Sequence, residues 1–96
     1  MQIQHQQTQR GGEFFIERDG RHIAEITYQY QNEATIVADH TWVDNSLRGQ
    51  GVARQLLDVL VAFAREKQLK IVPTCSYVDV MFQREAEFAD VVAWRF

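Results

Sequence analysis

The apolar residues of this chain change period twice in its middle third, and that change limits the folds open to it. Residues 34–43, ATIVADHTWV, are rich in β-branched and aromatic side chains and read as a long central strand. From Gly51 onward, Val52, Leu56, Leu57, Leu60, Phe63 and Ala64 recur at helical spacing. Arg54, Asp58, Arg65 and Glu66 fall mostly on the other side, so the spacing predicts an amphipathic helix that fades at Lys67-Gln68. Residues 70–75 then make a short strand ending at Cys75, with Pro73 at an edge or near its end. Strand, helix, strand in this order predicts a parallel pair with the helix laid across one face of the sheet.

The first third has a different pattern. Phe15 and Ile16 lead into Asp19-Gly20, a two-residue hairpin signal, and Ile23, Ala24, Ile26, Tyr28 and Tyr30 then fall largely on a period of two. A turn is predicted at Gln31-Asn32. Residues 77–93 have mixed helical character and fit one or two short helices. The Gln-rich residues 1–12 fit either a frayed end or a first edge strand. The class is therefore α/β (α+β): a compact mixed sheet with an early antiparallel hairpin, a strand-helix-strand crossover and short C-terminal helices.

Composition narrows the function classes. Ninety-six residues with 46% hydrophobic content make one domain, 1–96, with enough apolar surface for a core. A formal charge of -3 argues against a nucleic-acid surface. The longest apolar-rich stretch, residues 52–64, is broken by Arg54, Gln55 and Asp58, which argues against a membrane span. The single cysteine allows no intramolecular disulfide, and the opening MQIQHQQTQR has no apolar signal segment, so a cytoplasmic protein is expected. His5, His22, His40 and Cys75 form no short ligand pair on one element, so no metal site is expected.

Between strand and helix lies DNSLRGQGVAR. A glycine-containing loop that opens a helix can point successive N–H groups into one concavity, where the positive end of the helix favours phosphate oxygens. Glycine lets the ligand approach because no Cβ intervenes, and Arg48 and Arg54 can add charge-assisted contacts. The simpler reading is that Gly49 and Gly51 only make a tight turn, with Asn45 or Ser46 capping nearby. The segment lacks the Gly-Lys-Ser/Thr of a mononucleotide loop and the third glycine of the dinucleotide fingerprint.

Arg48-Gly49-Gln50-Gly51-Val52-Ala53, at this junction, resembles the pyrophosphate-binding pattern of the GNAT acyltransferase superfamily, Gln/Arg-x-x-Gly-x-Gly/Ala. More of the chain is similar to the small single-domain YjdJ-type branch. The likeness is carried by Asp19-Gly20, Tyr30, His40-Thr41-x-Val43, Pro73-Thr74-Cys75 and Phe88-Ala89-Asp90-Val91-Val92. Where that branch often has Arg-His-Pro-Glu-Tyr, this chain has Arg84-Glu85-Ala86-Glu87-Phe88 and so lacks a histidine there. The resemblance implies a sheet that splays between the strands ending at Val43 and Cys75, with acetyl-CoA as co-substrate in the gap. The pantetheine arm would pair with the backbone at Trp42 and Val43, and residues 48–53 would cradle the pyrophosphate.

Transfer of acetyl to an amine needs a base for the amine and a proton for the departing thiolate. Cys75 is the first candidate, as proton donor or as an acetyl-accepting nucleophile. His40, on the companion strand, is a candidate base to take a proton from Cys75, and Tyr77 is a further donor to the departing sulfur. Bland roles compete for all three: a small buried cysteine, a satisfied strand histidine and a tyrosine packing its ring. The resemblance also implies helices between the first two strands, for which Asp19-Gly20 leaves room only for a turn. An open acceptor side is expected, suited to an exposed protein or peptide amine, in a monomer or weak homodimer. The alternatives are a non-catalytic sensor of CoA or acetyl-CoA, or an interaction module docking through Trp42, Trp94 and Phe96.

Overall fold

The computed structural model describes residues 2–94. Five strands form one sheet in the order β1-β2-β3-β4-β5: β1 (Gln4–Gln7), β2 (Gly11–Arg18), β3 (Arg21–Asn32), β4 (Thr35–Val43) and β5 (Lys70–Pro73). All neighbours are antiparallel except β4 and β5. A 3-10 turn, Asn45–Leu47, and helix α1 (Val52–Lys67) join that parallel pair. Helix α2 (Ser76–Arg84) and a second 3-10 turn, Ala86–Phe88, follow β5. The chain then returns to the sheet, where Val92 bridges Ile71 in parallel. Phe96 lies outside the described residues, whereas Trp42 and Trp94 are both exposed. No helix among the described residues is long and apolar enough to cross a membrane.

The predicted hairpin forms at Asp19-Gly20, where both residues take the positive φ that a tight two-residue turn requires. The Gln-rich start is an edge strand, pairing Gln4 with Phe15 through Gln7 with Gly12. Three sequence expectations shift. Gln31 and Asn32 belong to β3, and the turn falls at Glu33-Ala34, because the Asn32 side chain accepts from the Ala34 N–H at 2.9 Å and fixes the reversal there. The middle strand of the five is β3 rather than β4, since the Gln-rich start adds β1 at one edge. Cys75 does not end β5; it is the N-cap residue of α2.

One face of the sheet carries the core. Phe14, Ile16, Ala24, Ile26, Tyr28, Ile36 and Ala38 pack there against Leu56, Leu57, Leu60 and Val61 of α1 and Val78 and Phe82 of α2. Each fully buried leucine of this set contributes about 1.5–3 kcal/mol relative to exposure. Helix α1 ends at Gln68, which takes a left-handed conformation while the Leu69 N–H reaches back to the Ala64 carbonyl at 2.7 Å. Arg65 then holds the C-terminal segment through Asp90, at 2.9 and 3.0 Å.

The opposite face has no helix over it among the described residues. It presents Glu13, Glu25, Thr27, Gln29, Asp39, His40 and Trp42, all half-buried or exposed. No helix among the described residues precedes β4, so nothing from the first half of the chain is available to cover this face.

Candidate active site

The parallel strands β4 and β5 run together only from Thr35 opposite Lys70 to Ala38 opposite Pro73. There the Ala38 carbonyl gathers the Thr74 N–H at 3.2 Å, the Cys75 N–H at 3.0 Å and the Thr74 hydroxyl at 3.1 Å. Proline has no N–H to continue a ladder, and the chain turns away into α2. Beyond Ala38, β4 keeps β3 on one side and has no strand partner on the other among the described residues. The sheet is open there, and one side of the β4 backbone is free to pair with an extended ligand.

A cavity of about 470 Å³ lies at this opening. Its walls are Thr41, Trp42 and Val43 from β4, then Leu47, Arg48 and Gly49 from the connecting loop. Gly51, Val52 and Ala53 at the start of α1 and Tyr77 of α2 complete it. Local chemistry shapes the loop. The Asp44 carboxylate accepts from the Ser46 N–H at 3.0 Å and the Ser46 hydroxyl at 2.6 Å, which holds it below the usual carboxylate range. Leu47 is buried and pins the loop to the core.

Gly49 and Gly51 have φ of 81° and 70°, a left-handed conformation that costs an L side chain roughly 1–2 kcal/mol. A Cβ at either position would meet nothing within 4 Å, so it would point into open space. Gly51 is the N-cap of α1 and supplies no side-chain cap, and its carbonyl accepts from the Gln55 N–H at 3.1 Å. The N–H groups of Val52, Ala53 and Arg54 therefore have no acceptor within the helix, and no acidic side chain lies in the first turn. The turn and cradle readings of the glycines are compatible: the backbone needs glycine, and the resulting concavity suits an anion.

Residues 13–91 match the family model for the GCN5-related N-acetyl-transferase. The chain belongs to the GCN5-related N-acetyltransferase (GNAT) family. Protein NATD1 of Xenopus tropicalis is 30% identical over 79 residues, which span 81% of this chain and 71% of that protein. A GCN5-like protein from Staphylococcus aureus is 35% identical, with a TM-score of 0.75 over 97% of this chain and 90% of its own. A GNAT acetyltransferase from Elizabethkingia anophelis, solved with acetyl-CoA bound, shares the fold at a TM-score of 0.61. It is 18% identical, and the match covers 78% of this chain and 52% of that one.

In this GNAT chain the sequence-predicted residues separate into three groups. Trp42, Val43, Arg48, Gly49, Gly51, Val52, Ala53 and Tyr77 line the cavity, whereas Gln50 and Arg54 do not. Arg54 binds Asp58 at 2.9 Å and Glu87, and its guanidinium lies 5.0 Å from the centre of the Phe88 ring. It ties α1 to the C-terminal segment. Arg48 forms no ion pair among the described residues and remains at the cavity wall.

Cys75 and His40 are not brought together. The Cys75 thiol donates to the Thr41 hydroxyl at 3.3 Å. His40 lies on the helix-free face, its Nε2 3.0 Å from Glu25. A bulge explains the separation: Tyr28 pairs with Ala38 and Thr27 with His40, so Asp39 is the extra residue. Asp39 is anchored on that face by the Thr27 hydroxyl at 2.5 Å and the Gln29 amide at 3.0 Å. Burial pushes the Tyr77 phenol above its ordinary range, so it stays protonated at neutral pH.

Two cavity residues, Thr41 and Leu47, were not among the sequence-predicted set. Thr41 was signalled by its place between His40 and Trp42, and Leu47 by being the one large apolar side chain in an otherwise polar loop.

Proposed function

We propose that this protein binds acetyl-CoA in the opening between β4 and β5 and transfers the acetyl group to an exposed primary amine of a protein or peptide. The observation that carries this reading is one continuous cavity joining the free edge of β4 to the uncapped start of α1 through two left-handed glycines. The free edge suits the amide-rich pantetheine arm and the glycine cradle suits the pyrophosphate, with Arg48 adding charge. Acetyl-CoA is the substrate such a shape accommodates. The helix-free face leaves the acceptor side open, which suits an amine carried on a large partner.

The reaction forms a bond from the amine nitrogen to the thioester carbonyl carbon and breaks the carbon–sulfur bond. The amine gives up a proton and the departing CoA thiolate takes one, leaving an amide and free CoA. His40, on the open face, receives the amine proton. Tyr77, at the cavity and held protonated, supplies the proton to sulfur. Direct transfer is favoured over an acetyl-cysteine because the Cys75 thiol meets the Thr41 hydroxyl rather than the base His40, whereas Tyr77 lines the cavity directly.

Release of CoA thiol with a lysine-containing peptide tests this reading. Cys75→Ala is expected to retain turnover within about threefold, and Tyr77→Phe to lower kcat by about 10–100-fold, as for loss of a general acid. Loss of turnover in Cys75→Ala, together with an acetyl mass increment on the wild-type chain alone, would establish the covalent route instead.

A further inference from the structure

On the helix-free face the Glu25 carboxylate is engaged at both oxygens. His22 Nδ1 lies 2.9 Å from Oε1, and His40 Nε2 lies 3.0 Å from Oε2. The His22 ring is fixed in turn by stacking on Phe15, with centroids 4.1 Å apart and planes within 12°. Glu13 stands further off, 3.8 Å from the same His22 nitrogen. An ionised carboxylate has no proton to give, so each imidazole nitrogen facing Glu25 must be the donor. A neutral imidazole carries one N–H, and which nitrogen carries it is set by the hydrogen bond it makes.

From this we infer that Glu25 is the positioning residue for His40: it holds the neutral ring with its proton on Nε2 and leaves the Nδ1 lone pair free on the open face. This deepens the acetyl-transfer reading and rests on it. His40 is the half-exposed end of the pair, two positions before Trp42 on the same strand face, and Trp42 lines the cavity. The free lone pair therefore belongs to the strand that borders the opening, on the side left uncovered for an acceptor. When Nδ1 takes the amine proton, the imidazolium keeps its Nε2–H on the Glu25 carboxylate, so the charge formed on the ring faces an opposite one. The β4 bulge is what allows this. Without the extra Asp39, His40 would alternate onto the core face and could not meet Glu25.

The test pairs a spectroscopic readout with a kinetic one. Long-range proton–nitrogen correlation spectra of ¹⁵N-labelled protein, recorded where the ring is neutral, should show His40 protonated on Nε2 in the wild type and mixed between nitrogens in Glu25→Ala. In CoA-release assays Glu25→Ala should lower kcat by about tenfold or more with the KM for acetyl-CoA unchanged, and His40→Ala by about 100-fold. The double variant should be no slower than His40→Ala, as expected for a residue acting through another. Glu25→Gln, which keeps the shape but only one acceptor oxygen, replaces Glu25→Ala if that chain does not fold. An unchanged His40 tautomer, an unchanged kcat, or additive losses in the double variant would overturn the assignment. If the wild type transfers no acetyl group to any amine, the transfer reading fails; if it does and Glu25→Ala matches it, only the role of Glu25 fails.

Discussion

His5 shows how a single side chain can tie an exposed edge to the core. Its ring stacks on Phe14 at 4.0 Å and meets the edge of Phe63 at 5.1 Å, and its Nε2 lies 2.7 Å from the buried Tyr28 hydroxyl. Burial lowers the His5 pKa below its ordinary value of 6.5. The Tyr28 phenol is pushed up to about 12, first by burial and then by Tyr30, so it remains a neutral partner. The sign of the stability effect follows from proton linkage: below 6.5 the unfolded chain binds a proton at this position more readily than the folded one. The contribution is therefore complete above 6.5 and lost as pH falls through the folded value. The melting temperature should drop between pH 7 and 5, and His5→Gln should flatten that drop. An identical pH slope in the variant would contradict it. None of this was legible in MQIQHQQTQR, because a polar run carries no periodic signal and His5 finds its partners 9, 23 and 58 residues away, by the numbering of Phe14, Tyr28 and Phe63.

At the scale of elements, β1 is seated by Gly12. A Cβ there would stand 2.6 Å from the Tyr28 hydroxyl and 2.7 Å from the Gln6 carbonyl, so the position is closed by side chain and backbone together. Gly12→Ala should cost about 1–3 kcal/mol through overpacking. The measurement is chemical denaturation, with early amide exchange at residues 4–7 as the sign that β1 has moved; wild-type stability would contradict the close packing. Sequence patterning reached the hairpin at Asp19-Gly20, α1 and the β4–β5 crossover because each rests on a local period or turn residue. It missed the exact reversal at Glu33-Ala34, which a single Asn32 side-chain bond fixes, and the β4 bulge, which no local pattern marks. The loop of the candidate site was legible for the same reason as the crossover: glycine with positive φ before a helix is a local feature. The separation of His40 from Cys75 was not, since it depends on which face each side chain takes after a bulge.

For the whole molecule, the decisive feature is a sheet with both helices on one face and none described on the other. That asymmetry follows from the chain order: four antiparallel strands joined by short turns, then two successive connections between parallel segments, β4 to β5 and β5 to Val92. It leaves that face open and concentrates the polar groups of β2, β3 and β4 beside the place where β4 parts from β5. The central claim is that this parting, with Gly49 and Gly51, receives CoA. Calorimetric titration of the wild type and of Gly51→Asn with acetyl-CoA and CoA tests it most directly. Asparagine tolerates the left-handed conformation better than other side chains, so the fold should survive while the cradle is filled. The account predicts micromolar binding to the wild type and at least tenfold weaker binding to Gly51→Asn while that variant remains folded. No binding to the wild type, or equal affinity in the variant, would return the two glycines to the role of a turn.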